Sequence, residues 1–347
     1  MRISASGLHR MRRTALASAL MGLALAALFV PAPQARAEMI KIKIGSLKAA
    51  NVGPAFVAKE KGYFAAEGLD VDFAYFESAQ PVAVGVASGS LDFGCTSTSA
   101  GMYALAGQGV LRIISGMYSE HPGFHNFAII ASNKAYAAGL KGYKDLVGHS
   151  VAISQVGSPV HYSLALVADK YHLDLKSMRI EPLQGVPQIV SAIQGGQVDA
   201  SVTTATAVNP MLLAGTAKLI GWVGDETPWQ AAVTLTSTKM IETHPKVVEA
   251  FLRAFKKGAR EYHDAFTGPG ETRKDGPNAQ EVLAILSKYT GQAPEKIRLS
   301  VAYVERDARI DTKDILHQID WFKSQKMLKE DIDGASVMDK RYIVPMP

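Results

Sequence analysis

Cysteine is almost missing from this chain: Cys95 is the only one in 347 residues. No intramolecular disulfide can form, so stability has to come from burial of apolar surface and not from crosslinks. Short catalytic signatures are missing too. There is no G-x-S-x-G elbow, no P-loop, no G-x-G-x-x-G after a strand and no H-E-x-x-H, which leaves an enzyme reading without a nucleophile, phosphate or zinc motif to build on. Beyond residue 37 no apolar run reaches the 18 or so residues of a membrane span. An excess of charge is also absent once the first segment is set aside. Residues 1–37 hold five of the 37 basic residues and no acidic one, leaving 32 basic against 32 acidic groups in the remainder. A formally neutral body gives no net positive charge to suggest nucleic acid or an acidic membrane as partner. What is present is a globular composition, 48% hydrophobic and 20% charged, with length enough for two domains.

The first segment reads as an export signal. Arg10, Arg12 and Arg13 precede an apolar stretch from Ala15 to Val30, and Ala35-Arg36-Ala37 supplies the small-x-small cleavage pattern. Pro31 and Pro33 follow the apolar run where a spanning helix should still continue. Cleavage is expected after Ala37, releasing a soluble periplasmic protein. Cys95 lies too far from that point to carry a lipid anchor. The Arg12-Arg13 pair raises twin-arginine export, but its neighbours fit that pattern poorly.

The remainder alternates strand and helix. Ile40 to Ile44 alternates apolar and charged side chains and stops at Gly45, the mark of a strand. Gly53-Pro54 opens a helix, with proline where its missing N–H costs nothing. Leu69 to Phe73, Ser78 to Ala87 and Leu91 to Gly94 read as strand, helix and strand. The rhythm restarts with Val151 to Ile153, a helix from Ser158-Pro159 to about Tyr171, Met178 to Pro182, a helix from Pro187 to Gln194, and Val198 to Val202. Ala87-Ser88-Gly89-Ser90-Leu91-Asp92-Phe93-Gly94 parallels Ile193-Gln194-Gly195-Gly196-Gln197-Val198-Asp199-Ala200, each running into a Thr-rich stretch. Repeated strand-helix-strand units predict an α/β protein of two lobes, each a mostly parallel sheet with helices on both faces. Phe127 to Ile130 and Ala232 to Thr236 are expected to carry the chain across between lobes and form a hinge. That divides the chain into a signal (1–37), a discontinuous first lobe (38–128 with 234–347) and a second lobe (129–233). A long helix from Pro245 to Phe266 and shorter ones, Glu281 to Thr290 and Asp314 to Gln325, complete the first lobe.

In open parallel sheets ligands sit at the carboxyl ends of strands, where helix starts present unpaired N–H groups. Several such junctions here carry hydroxyl, amide or Gly/Pro residues. The candidate ligand contacts are Asn51, Ser78 and Gln80; Thr96, Ser97 and Thr98; Gly157 and Ser158; and Thr203, Thr204 and Thr206, with Lys48 as a cationic contact and His125 as a donor. Converging groups of this kind suit a carboxylate or sulfonate without a full buried countercharge. Ser78 and Ser158 also make ordinary N-caps, and Asp92 and Asp199 read as turn-holding residues. His121 and His125 stand four apart, but Pro122-Gly123 breaks any helix that would align them on a metal. No metal and no cofactor are expected.

These residues also carry a family resemblance. Lys61-Gly-Tyr-Phe-Ala-Ala-Glu-Gly-Leu-Asp-Val71 resembles the K-G-Y-F-x-x-E-G-L-x-V signature of the nitrate/sulfonate/taurine/thiamine-precursor family of solute-binding proteins. Ser88 to Gly94 and Gly195 to Asp199 are similar to its two G-x-hydrophobic-D elements, and Gln318 to Leu328 with Asp331 to Val344 resembles its usual ending. The resemblance runs in order over residues 40–345. It implies a type II periplasmic binding protein: a monomer with two α/β lobes around a cleft, handing a small organic anion to an inner-membrane ABC permease with its ATPase, with no nucleic-acid partner and no catalysis. A ligand-sensing protein that presents a bound molecule to a membrane partner is the alternative. A thiamine-pyrimidine-related enzyme is a more remote one, because the cysteine-rich stretch of those relatives is missing here. Trp222, Trp229, Phe124 and Tyr162 tilt the expected ligand toward an organic anion, aromatic ones included, over nitrate.

Overall fold

Ten strands in two five-stranded sheets build the protein, seen in a computed structural model that describes residues 38–347. The export signal expected in 1–37 lies outside the described residues. Strands β1 (Ile40–Leu47), β2 (Leu69–Phe76), β3 (Phe93–Ser97), β4 (Leu111–Glu120) and β10 (Trp229–Ser237) form the first sheet, in the order β2-β1-β3-β10-β4. Strands β5 (Phe127–Ser132), β6 (Ser150–Ile153), β7 (Arg179–Pro182), β8 (Ala200–Thr204) and β9 (Ala217–Trp222) form the second, in the order β7-β6-β8-β5-β9. In each, three strands pair in parallel and the fourth in the order, β10 or β5, runs antiparallel to both its neighbours. The two sheets are therefore one topology used twice, and each antiparallel strand is entered directly after the chain has crossed from the other sheet.

The repeat is visible down to single hydrogen bonds. Asp92 Oδ2 accepts from the Lys43 amide at 2.7 Å, and Asp199 Oδ2 accepts from the Ser150 amide at 2.9 Å. The Asp92 carbonyl accepts from Thr236 Oγ1 on β10, and the Asp199 carbonyl from the Ser132 amide on β5. Both aspartates thus pin the first parallel strand of their sheet with the side chain and the inserted strand with the backbone, the turn-holding role that the sequence pointed to.

Boundaries differ from the local pattern where tertiary pairing outweighs it. The third strand starts at Phe93 and runs to Ser97, not from Leu91 to Gly94, because Leu91 and Asp92 form a connection tied by Leu91 N–H to Gly85 O and Asp92 N–H to Lys43 O. In the same way β8 covers Ala200–Thr204 in place of Val198 to Val202. β4 and β9 leave no clear sequence signal: β4 is broken by Arg112, Ser115 and Gly116, and β9 is an edge strand with only Ala217 buried. The crossing strands belong wholly to one sheet each, so the chain passes between sheets through residues 121–126 and through 223–228, which holds a one-turn helix Val223–Glu226.

The long helix Pro245–Phe266 begins on its proline and buries Val247, Val248, Phe251, Ala254 and Phe255. Phe251 stacks on Phe93 of β3 with centroids 4.0 Å apart and planes 4° from parallel, an aromatic contact worth about 1 kcal/mol beyond its area. It also packs on the helix Gly53–Glu60, where Gly258 lets the backbones approach; a Cβ there would run into the Pro54 carbonyl. No helix among the described residues is long and apolar enough to cross a membrane.

Candidate functional site

A cavity of about 380 Å³ opens between the two sheets. Its wall is made of six junctions at strand ends, three from each sheet, in matching positions. From the first sheet come Leu47 and Ala49 to Asn51 at the end of β1, Glu77 to Gln80 after β2, and Ser97, Ser99 and Gly101 from the end of β3. From the second come Ser154 to Val160 after β6, Gln184 to Val186 after β7, and Thr204 to Thr206 from the end of β8. Tyr118, Asn126, Phe127 and Ser300 close the gaps.

Helix starts face this space because parallel strands end there and the chain must turn back over the sheet. Ser78, Ser99, Ser158, Gly185 and Thr204 are the N-cap residues of helices of eight to twelve residues, all with extended backbone. The first-turn N–H groups beyond them have no intrahelical acceptor, and each helix places the positive end of its dipole at the cavity. Two of the hydroxyls are occupied by capping: Ser99 Oγ accepts from Met102 N–H at 3.2 Å and Ser158 Oγ from His161 N–H at 3.4 Å. Ser78 and Thr204 make no cap bond, and Thr204 Oγ1 instead pairs with Thr206 Oγ1 at 2.9 Å, a contact that leaves further bonding capacity on both threonines. Neither Ser78 nor Thr204 is engaged by a backbone N–H of its own helix, and the Thr204–Thr206 pair keeps spare bonding capacity, so these hydroxyls can serve a ligand.

The two walls touch at Gly157. Its carbonyl accepts the Ala100 N–H at 3.0 Å. Its φ is +77°, and a Cβ added there would lie 3.0 Å from Ala100 Cβ, so the position favours glycine on both counts. Among the described residues the lining contains no Lys, Arg or His; Glu77, exposed at the rim, is its one charged group. An anion held here would be bound by N–H dipoles, hydroxyls and amides. Leu47, Phe127, Val156, Val160 and Val186 add apolar surface beside them.

Of the residues singled out in the sequence, Asn51, Ser78, Gln80, Ser97, Gly157, Ser158, Thr204 and Thr206 line the cavity. Lys48, Thr96, Thr98, Thr203 and His125 do not. The reason for Thr96 and Thr203 is strand alternation: the last residues of β3 and β8, Ser97 and Thr204, reach the cavity while the threonines one step back point elsewhere. Thr96 is buried with Oγ1 3.4 Å from the Ala79 carbonyl, Thr203 pairs opposite Ala128 in the β5–β8 ladder, and Thr98 is buried against the Tyr103 hydroxyl. Lys48 lies on the outer surface in a shallow depression with Lys59, Glu60 and Tyr289. His125 stacks on Trp222 at 4.3 Å outside the cleft, 3.8 Å from Asp225, and burial lowers its pKa. Trp222 is thereby taken up in packing too, and Phe124, Tyr162 and Trp229 are buried away from the lining.

Residues that the sequence did not single out include Ser154, Gln155, Gln184, Ser99, Tyr118 and Asn126. Gln184 stands at φ +70°, a turn that a lone glutamine does not announce. Asn126 is placed by its crossing: it joins Asn51 Nδ2 at 3.3 Å to Glu120 Oε1 at 2.8 Å, linking the cavity wall to a buried carboxyl between the sheets. Burial pushes Glu120 up to about 8 against donors from Asn126, Phe127 and Gly224. Cys95 is fully buried on β3 and its thiol is pushed far up by burial, the opposite of an activated nucleophile. Among the described residues no three His, Cys, Asp or Glu side chains are grouped to hold a metal ion.

Comparison with known proteins gives a consistent family and fold. The sequence pattern of the family described as NMT1/THI5 like matches residues 49–269. A putative aliphatic sulfonates-binding protein from Bacillus subtilis is 26% identical over 224 residues, 63% of this chain; the chain spans about 64% of the length of that relative. Among solved structures, the alkanesulfonate-binding protein SsuA from Xanthomonas axonopodis pv. citri bound to MOPS superposes with a TM-score of 0.69 at 18% identity, covering 87% of this chain and 99% of that one. The periplasmic nitrate-binding protein NrtA from Synechocystis gives 0.62 at 16% identity, covering 87% and 86%. The fold is that of these two-sheet periplasmic binding proteins.

Proposed function

Because the chain belongs to the NMT1/THI5-like family, we propose that it is an exported solute-binding protein that captures a small organic anion, a sulfonate or carboxylate, in the cavity between its sheets and delivers it to an ABC permease with its ATPase. The observation that carries this reading is the doubled set of junctions: five helix starts, two of them with hydroxyls not used in capping, converge on one space whose described lining has no cationic side chain. Such a lining stabilises a small anion without burying a countercharge, and its apolar share suits an organic ligand, aliphatic or aromatic, better than nitrate. Similarity to the aliphatic sulfonates-binding relative points the same way.

In this reading each sheet is the core of one lobe, divided at the crossings 121–126 and 223–228 and not at 128/129 and 233/234, since β5 and β10 each lie wholly in one sheet, and the lobes rotate about the two crossings and close on the ligand. The segment 1–37 is removed on export and the product works in the periplasm, so secreted protein starts at Glu38. Isothermal titration with a panel of alkanesulfonates, arenesulfonates, aromatic carboxylates and nitrate tests the proposal, together with mass spectrometry of any molecule that co-purifies. One-to-one binding of an organic anion, recovered unchanged, is expected. Steady conversion of a panel member to product, or exclusive binding of neutral or cationic molecules, would overturn it.

A further inference from the structure

Tyr162 belongs to the helix Pro159–Lys170, whose first turn lines the cavity from the second sheet, yet its side chain is 1% exposed in a socket built by the other half of the molecule. Its ring meets Trp229 at 5.0 Å, Trp321 at 5.5 Å and Phe322 at 6.0 Å. At the bottom of the socket its hydroxyl lies 2.7 Å from His317 Nδ1 and donates to Asp314 Oδ1 at 3.2 Å, both on the helix Thr312–Ser324. Asp314 Oδ2 in turn accepts from the Gln230 amide at the start of β10 and from Gln318 Nε2, and Gln318 Oε1 accepts from Tyr103. Tyr162 stands one helical turn from Ser158, so it moves with the cavity wall.

We propose that Tyr162 is a positioning residue that holds the cleft closed, entering the aromatic socket of the first lobe and bridging Asp314 and His317 across the gap. This rests on the two-lobe reading above. Opening the cleft withdraws the ring, lets water into the socket and leaves Asp314 with a hydrated oxygen. The groups facing Asp314 are Tyr162 from the second lobe, Gln230 from β10, Tyr103 from the helix Ala100–Gly107, Asp311 from the preceding loop and His317 and Gln318 from its own helix; none of these places a lysine or arginine against it. Closure therefore deepens the burial of a carboxyl that has no lysine or arginine partner among them. In the closed arrangement burial raises Asp314 to about 6, against 3.8 for an ordinary aspartate. A closed state that holds this proton more tightly is favoured as pH falls, Asp314 alone shifting the open–closed equilibrium toward closed by up to about tenfold between about pH 7.5 and about 5.0. His161, packed on Trp321 across the same socket and lowered to about 4 by burial, works in the opposite direction, so the Asp314 contribution is the difference between wild type and a variant that lacks this carboxylate.

Small-angle scattering of the ligand-free protein at about pH 7.5 and about pH 5.0 reads this directly, on wild type, Tyr162→Phe and Asp314→Asn, with circular dichroism to verify the fold. On acidification wild type is expected to approach the dimensions of Asp314→Asn, because its own carboxyl becomes neutral. Asp314→Asn, neutral at every pH, is expected to be more compact than wild type at about pH 7.5 and to match it at about pH 5.0, and Tyr162→Phe to be more extended than wild type at both. A gap between wild type and Asp314→Asn that does not narrow on acidification, or a Tyr162→Phe as compact as wild type, would overturn the proposal. Asp314→Asn leaves the ring in its socket and decides the matter even if Tyr162→Phe does not fold. No ligand is needed, so an empty titration panel would count against the solute-binding reading and not against this one.

Discussion

Replacing Glu120 by Gln should remove much of the pH dependence of stability. Glu120 ends β4 where the chain leaves the first sheet, is 1% exposed, and receives N–H donors from Asn126 at 2.8 Å and from Phe127 at 3.5 Å, with no lysine or arginine among its partners. Burial raises it from 4.5 to about 8. Below pH 4.5 the carboxyl is protonated whether the chain is folded or not. Between 4.5 and about 8 the unfolded chain releases a proton that the folded chain retains, so stability falls as pH rises through that window and levels off above it. With these values the loss between about pH 5 and about pH 9 is about 4 kcal/mol, a large part of the roughly 5 to 15 kcal/mol typical of a folded domain. A glutamine amide does not titrate, so the curve of Glu120→Gln lacks this component. Asp314, also raised, adds a loss at lower pH, and His161, buried and lowered to about 4, works in the opposite direction; both cancel in the difference between wild type and variant. Urea unfolding of both in small pH steps from about 5 to about 9 measures that difference. The variant should gain about 4 kcal/mol relative to wild type over this range, with unchanged m. Parallel curves would refute the argument and mean that the donors from Asn126, Phe127 and Gly224 hold Glu120 ionised at neutral pH.

Thr204→Ala should weaken ligand binding about two- to tenfold and leave stability within about 0.5 kcal/mol, whereas Thr98→Ala, buried against Tyr103, should cost about 1 to 2 kcal/mol of stability and leave the affinity alone; titration and urea unfolding of both variants separate the two roles, and an affinity loss in Thr98→Ala would contradict the placement. Gly258→Ala should destabilise by about 1 to 3 kcal/mol, since the new Cβ meets the Pro54 carbonyl and Ala58 Cβ where two helices touch; an unchanged melting temperature would refute that contact. Cys95, with no exposed surface, should resist a thiol reagent in the native protein and react at the rate of unfolding, which a time course with and without urea would show.

Much of the architecture is legible in the sequence because it rests on local, periodic signals. Apolar alternation at Ile40 to Ile44, proline at helix starts such as Pro54, Pro159 and Pro245, and the two G-x-hydrophobic-D elements each act through neighbouring residues, so they locate β1, several helices and the doubled layout without any knowledge of what packs on what. The same local chemistry marks Ser78, Ser158 and Thr204 as polar strand-to-helix junctions. Where each polar side chain points is another matter. Thr96 and Thr203 differ from Ser97 and Thr204 by a single step along a strand, and which step faces the cavity depends on where the strand ends, which long-range pairing to β10 and β5 decides. Lys48 follows Leu47 in the chain but faces out, and Gln155, Gln184 and Asn126 enter the lining only because three separate turns meet in space. Composition and periodicity determine which segments become strands and helices. Only tertiary structure decides which residues of their ends share the cavity, because a cleft is made of groups far apart in sequence whose positions are set by the packing of two whole sheets.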